Sequence, residues 1–162
     1  TVQDGLAHDL VWSLAVAPDG VLWAGTNGGV SRFDGKQWES FTDKIVITLA
    51  VAPDGEVWFG FGRDGKGIMR FGGGRWETFV SDDGLANDEV NAIAAAPNGA
   101  LWLATEAGGL LRFGDLQWTT YATADGLTNT RLSSVAVAAD GSVWVGAGGE
   151  GVSGGGLSHY TP

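Results

Sequence analysis

The sequence predicts an all-β propeller with four four-stranded antiparallel blades, and three observations carry that prediction. Residues Ser13 to Thr26 (SLAVAPDGVLWAGT) return as Thr48 to Gly60, Ala92 to Thr105 and Ser134 to Gly146. Each return opens on an apolar run in which large and small side chains alternate, passes a turn signal, and closes on a tryptophan-centred segment. Two further segments follow before the next copy, so the period of roughly 40 residues fits one four-stranded blade.

The first strand of each unit reads as covered on both faces. Leu14 and Val16 are large among Ser13, Ala15 and Ala17, and Leu49 and Val51 stand likewise among Thr48, Ala50 and Ala52. Period two with no polar face is the pattern of an inner strand, small residues falling where space is tight. Pro18 to Gly20, Pro53 to Gly55, Pro97 to Gly99 and Ala139 to Gly141 then place Asp or Asn before Gly. That is hairpin chemistry, because glycine takes a positive φ without penalty. The second strands centre on Trp23, Trp58, Trp102 and Trp144.

Third strands follow a variable glycine-rich loop: Gly29 to Phe33, Gly67 to Phe71, Gly109 to Phe113 and Gly156 to Tyr160. A short turn leads to fourth strands at Gln37 to Phe41, Arg75 to Phe79 and Gln117 to Tyr121, which alternate as half-exposed outer strands should. Of the eight tryptophans, four lie on second strands and three on fourth strands, leaving Trp12 outside the pattern. No stretch has helical periodicity.

These segments divide residues 1–162 into a single array with blades at about 11–42, 47–80, 91–122 and 133–162. Thr1 to Leu10 match the connectors 81–89 and 123–131, which share Asp-Gly-Leu; the connector Asp43 to Val46 lacks it. The last blade has no recognisable outer strand, which leaves an edge open to pairing. Four is a low count for a propeller. The sequence therefore admits a closed four-bladed monomer, an eight-bladed ring made as a homodimer, or a truncated or engineered fragment that only folds and self-associates.

Composition narrows the partners. The chain carries a net charge of −10, which disfavours nucleic acid and anionic membranes. It contains no cysteine, which removes disulfides, thiol catalysis and thiolate metal sites. No apolar run has the length of a membrane span, and no signal peptide is read at the N-terminus.

One rim of the propeller is built from near-identical Pro-Asp-Gly hairpins and reads as structural. The opposite rim carries the variable loops and connectors, where ligands are met on a rigid scaffold. Candidate ligand-binding residues there are His8, Trp12, Arg63, Asp64, Lys66, Asn91, Glu106, Arg131 and Glu150, with Asp9, Asn87, Asp88 and Asn129 beside them. Trp12 stands where the other blades have Ile47, Asn91 and Ser133. An aromatic in that slot either stacks on a sugar or covers the upper core. Arg32, Arg70 and Arg112 repeat in register, with His159 in the fourth slot, and read as structural pairs with packed stems. Asp4, Asp83 and Asp125 read as turn-shaping. No catalytic residue, metal ligand or cofactor is predicted; the acidic loops admit adventitious Ca²⁺ but lack the Asp-x-Asp-x-Asp-Gly spacing of a calcium loop, and His8 with Glu106 or Glu150 is the only set a metal-assisted mechanism has to offer.

The run Asp125-Gly126-Leu127, Pro18-Asp19-Gly20, Trp23, Gly25-Thr26, Gly28-Gly29 and Arg32-Phe33 resembles the two-component-regulator propeller repeat, over nearly the whole chain. The Pro-Asp-Gly-x-x-Trp portion is more distantly similar to streptogramin-lyase-like propellers. The first resemblance implies a sensor blade array outside the cytoplasm. The expected function is a non-enzymatic binding or assembly module meeting a carbohydrate, another small ligand or a second copy of itself. The alternative implied by the second resemblance is a metal-assisted lyase or hydrolase.

Overall fold

The computed structural model describes residues 1–62, 67–83, 85, 89–148 and 154–161. Fifteen strands form four antiparallel sheets in chain order. The first sheet comprises β1 (Val11–Val16), β2 (Leu22–Thr26), β3 (Gly29–Phe33) and β4 (Trp38–Phe41). The second comprises β5 (Val46–Val51), β6 (Val57–Phe61), β7 (Ile68–Gly72) and β8 (Arg75–Phe79). The third comprises β9 (Val90–Ala95), β10 (Leu101–Thr105), β11 (Leu110–Gly114) and β12 (Gln117–Tyr121). Among the described residues the fourth has three strands, β13 (Leu132–Val137), β14 (Val143–Ala147) and β15 (Gly156–Tyr160). The Asp-Gly-Leu connectors add what periodicity does not reveal, short 3-10 turns at Val2–Asp4, Ser81–Asp83 and Thr123–Asp125.

The four hairpins between first and second strands are held by one device. Asp19, Asp54, Asn98 and Asp140 each accept the N–H two residues on through Oδ1, at 2.9–3.1 Å. The glycine after each has φ between 83° and 88°. Connector turns repeat in the same way: Val80 N–H bonds Asp83 at 3.0 Å and Ala122 N–H bonds Asp125 at 2.9 Å.

The sheets pack face to face. Trp23 of the first meets Phe59 and Phe71 of the second at centroid distances of 5.5 and 5.2 Å. Trp58 meets Phe113 at 5.6 Å, and Trp102 meets Tyr160 at 5.4 Å. Three core clusters result, one per pair of neighbouring blades. Inner strand β1 packs on β5, β5 on β9 and β9 on β13, but no comparable packing joins β13 to β1. The closed four-bladed ring admitted by the sequence is therefore not formed; the four blades make an open arc.

Two of the three register arginines, Arg32 and Arg70, are held in ion pairs within their own sheets. Arg32 pairs across the strand with Glu39 at 3.4 Å and lies 5.8 Å over Trp23. Arg70 bonds Glu56 at 3.1 Å and also Glu77, and lies 5.3 Å over Trp58. In the fourth sheet His159 takes the slot and stacks on Trp144 at 4.2 Å.

The glycine before each third strand is enforced by the fourth. Gly109 has φ +80°, and a Cβ there would sit 2.3 Å from the Tyr121 carbonyl oxygen. A Cβ on Gly156, which faces no fourth strand, meets nothing closer than Thr128 at 3.4 Å. Gly109→Ala is expected to cost at least about 1–3 kcal/mol in denaturant unfolding, whereas Gly156→Ala stays within about 0.5 kcal/mol. Equal losses at the two positions would sink this account.

A second expectation concerns acid. The Ser142 hydroxyl, at 2.7 Å, and then its N–H, at 2.9 Å, hold the Asp140 carboxyl below its ordinary pKa. A carboxyl whose pKa falls on folding stabilises the fold above its unfolded value near 4, and that contribution vanishes as pH drops through the folded value. Asp140→Asn keeps a side chain that serves the same turn at Asn98. Its urea midpoint is expected below wild type at pH 6, with the gap narrowing steadily as the pH is lowered below about 4. A gap that does not narrow below that pH would show that charge is not what Asp140 contributes.

Candidate functional site

Each inner strand carries a register shift at its first turn of ladder. The partners run Val11↔Thr26 then Ser13↔Gly25, Val46↔Phe61 then Thr48↔Gly60, Val90↔Thr105 then Ala92↔Ala104, and Leu132↔Ala147 then Ser134↔Gly146. One residue per blade is thus bulged out of pairing: Trp12, Ile47, Asn91 and Ser133. A bulge leaves its extra residue unpaired and re-aims the side chain. A backbone bond beside each one fixes the loop after the second strand: Asn27 N–H to Leu10 O, Gly62 to Ile45, Glu106 to Glu89 and Gly148 to Arg131, at 3.0–3.4 Å.

The bulged side chains turn toward that loop on the variable rim. Trp12 Nε1 donates to Asn27 Oδ1 at 2.9 Å. Asn91 Nδ2 donates to Glu106 Oε2 at 3.0 Å and to the Leu132 carbonyl at 2.8 Å, bridging the third blade to the fourth. Arg131 closes the group by an ion pair with Glu106. Ser133 Oγ lies 3.3 Å from the Gly146 carbonyl, and Ile47 lies beside Gly62. One scaffold therefore presents an indole, an aliphatic, an amide with its ion pair, and a hydroxyl at equivalent positions.

The predicted residues divide accordingly. Asn91, Glu106 and Arg131 come together, and Trp12 occupies the same position in the first blade. Trp12 is 54% exposed, on a strand whose Leu14 and Val16 are exposed as well. His8 is engaged locally, its Nδ1 accepting the Leu10 N–H at 2.9 Å, as Asn129 Oδ1 accepts the Arg131 N–H. Asp9 Oδ1 accepts the Val2 N–H at 2.8 Å, tying down the connector. Arg63, Asp64, Lys66, Asn87, Asp88 and Glu150 lie outside the described residues. Asn27 was missed by sequence reasoning; its slot is that of Glu106, immediately after the Thr26 and Thr105 pair, which would have indicated it.

Among the described residues, no three His, Asp or Glu side chains gather in a way that could hold a metal ion. An open groove of about 550 Å³ lies elsewhere, on the outside between the second and third blades, walled by Phe79, Phe113 and Trp118. Its Arg70 and Glu77 are already paired with each other, and no bulged residue lines it, so it is set aside in favour of the rim.

Residues 5–28 and 84–107 match the two component regulator propeller family model. The chain thus carries that repeat in its first and third blades, as the sequence motif implies. No curated protein matches the sequence. Among solved structures, the chain is similar to the extracellular domain of BT3049 from B. thetaiotaomicron, assigned to a hybrid two component system, with TM-score 0.71 and 20% identity over 84% of this chain and 20% of that one. It is similar also to virginiamycin B lyase from Staphylococcus aureus, with TM-score 0.69 and 16% identity over 93% of this chain and 55% of the lyase. A third likeness is to PorZ, a bacterial surface component of the type-IX secretion system of Porphyromonas gingivalis, with TM-score 0.67 and 20% identity over 91% of this chain and 25% of that one. The chain spans between a fifth and about half of these proteins, and at such identities they establish the propeller fold alone.

Removing the Asn91 side chain leaves the Leu132 carbonyl without its donor. Asn91→Ala is expected to lower unfolding free energy by about 1–3 kcal/mol, and Trp12→Ala by less than about 0.5 kcal/mol, both read by urea titration. A larger loss at Trp12 than at Asn91 would give Trp12 the core-covering role.

Proposed function

We propose that this array of regulator-type propeller repeats is a non-enzymatic binding module that meets a small polar ligand, a carbohydrate by preference, on the rim of bulged inner-strand residues. The single observation carrying the reading is that one bulge, repeated in every blade, presents four chemically different side chains. A position kept for packing repeats its residue, as the second-strand tryptophans do. One that changes from Trp12 to Ile47 to Asn91 to Ser133 over a fixed backbone distributes distinct contacts around one axis. An exposed indole beside an amide is the pairing that stacks on a sugar ring and bonds its hydroxyls. His8 lies in a connector with its Nδ1 taken by the Leu10 N–H, and His159 lies in the last sheet stacked on Trp144; neither belongs to the group of Asn91, Glu106 and Arg131, which favours binding over acid–base chemistry. Likeness to extracellular sensor domains supports a location outside the cytoplasm, and no helix among the described residues is long and apolar enough to cross a membrane.

The test is a panel of neutral and acidic oligosaccharides followed by tryptophan fluorescence and calorimetry. The expected result is a saturable response to at least one glycan, weakened at least tenfold by Trp12→Ala and by Asn91→Ala. No response across the panel, or a response that both variants retain, would overturn the reading.

A further inference from the structure

The third blade keeps its register arginine but lacks the acids that hold the other two. Arg32 and Arg70 face Glu39 and Glu77 across the strand pair, and each is ion-paired there. Arg112 faces Thr119. Arg70 takes a second carboxylate from Glu56, the residue after the Asp54-Gly55 turn. After the corresponding Asn98-Gly99 turn stands Ala100. Asn98 itself takes the place of the aspartates in the other three hairpins. Among the described residues Arg112 therefore forms no ion pair, and its guanidinium has no ring beneath it as those of Arg32 and Arg70 do.

The freed guanidinium has a defined place. In the second blade the Glu56 carboxylate lies over Gly72, where a Cβ would meet its Oε1 at 2.6 Å. In the third blade the Arg112 guanidinium lies over the equivalent Gly114, where a Cβ would meet Nη2 at 2.9 Å and both Cζ and Nη1 at 3.0 Å. The cation thus occupies the ground that a carboxylate holds one blade earlier. Arg112 is half-buried and borders an open cleft of about 350 Å³ between the Asn98-Gly99 hairpin and the Gly114-Asp115 turn. That volume is ordinary for a small-molecule site. Asn98 Oδ1 is taken by the Ala100 N–H at 3.1 Å, which leaves Nδ2 as a further donor on the cleft. The lining also includes Asp115, exposed at the tip of its turn.

We propose that this cleft binds a small organic carboxylate, with Arg112 as its anchor. The chain supplies the precedent: an arginine in this register is satisfied by carboxylates in the first and second blades, and here the place is left for one from outside. The planar guanidinium presents paired N–H donors that match the two oxygens of a carboxylate. Half-burial screens the pair from salt less than full exposure would. A singly charged ligand is favoured over phosphate, because Asp115 and the net charge of −10 oppose each added negative charge. The cleft lies on the hairpin rim, belongs wholly to the third blade, and uses none of the bulged residues. It stands independently of the carbohydrate reading above.

Acetate and glucuronate are the probes, with glucose as the neutral counterpart and inorganic phosphate as the dianion. Each is titrated while the Arg112 Nε–H resonance, assigned by its loss in Arg112→Lys, is followed by NMR. Both carboxylates are expected to shift it saturably, glucuronate with a dissociation constant on the order of millimolar. Glucose should leave it in place, and phosphate should bind more weakly than glucuronate. Thr119→Glu restores the partner of the first two blades, so it should weaken binding at least about tenfold with circular dichroism unchanged. Asp115→Asn should tighten binding, and Trp12→Ala should leave it as it is. Absence of a saturable shift with both carboxylates overturns the inference. An equal response to glucose, or tighter binding of phosphate, overturns the carboxylate assignment, and full affinity in Thr119→Glu overturns the role of Arg112.

Discussion

A tryptophan at the centre of a second strand is too large for its own sheet to cover. Trp23 reaches across to Phe59, Phe71 and Trp76 of the next blade, and these rings join the apolar core of the first interface. Burial of one such side chain stabilises by roughly 1.5–3 kcal/mol or more, and each aromatic pair adds about 0.5–1.5 kcal/mol. A blade without its neighbour forgoes both. The stacking of blades is accordingly the condition under which each sheet is stable, and stability accumulates along the array through nearest neighbours.

Once stacking is imposed, the other features fall into place. Inner strands alternate large and small because two neighbours crowd them near the axis. The hairpins are uniform because Asp19, Asp54, Asn98 and Asp140 each close the same turn. Arg32 and Arg70 of the third strands lie over the tryptophans of their own sheets and pair with nearby acids. The bulge is the exception to this economy, since it breaks the ladder in every blade at the same place. What it yields is a side chain released from packing, free to differ from blade to blade.

The propeller was legible because its period, its turns and its tryptophans all point one way, and so was the three-stranded fourth blade, since nothing after Tyr160 resembles Gln37 to Phe41. The bulge was not legible: its extra residue can be counted only once β1 is aligned against β2, and Trp12 looked merely out of pattern. Nor was the open arc, because a repeat specifies how blades touch but not how far each rotates. For the candidate site, the sequence identified Asn91, Glu106 and Arg131 as separate polar residues on one rim. Their joining depends on contacts between neighbouring blades, which no periodicity displays. Asn27 escaped because it sits in a loop whose two residues read only as turn-formers.

The connectors ahead of the first and fourth blades dock on the blade that follows, Ala7 N–H on Ser31 Oγ and Thr128 N–H on Ser158 Oγ, and that docking has a genetic consequence. A duplication framed from Asp-Gly-Leu rather than from the first strand would copy a sheet together with its own clasp. Such a copy meets its neighbours through faces they already possess and demands no compensating change in them. Arrays of this kind can grow or shrink by whole blades in single recombination events, and the chemistry at each bulge is then free to diverge one copy at a time.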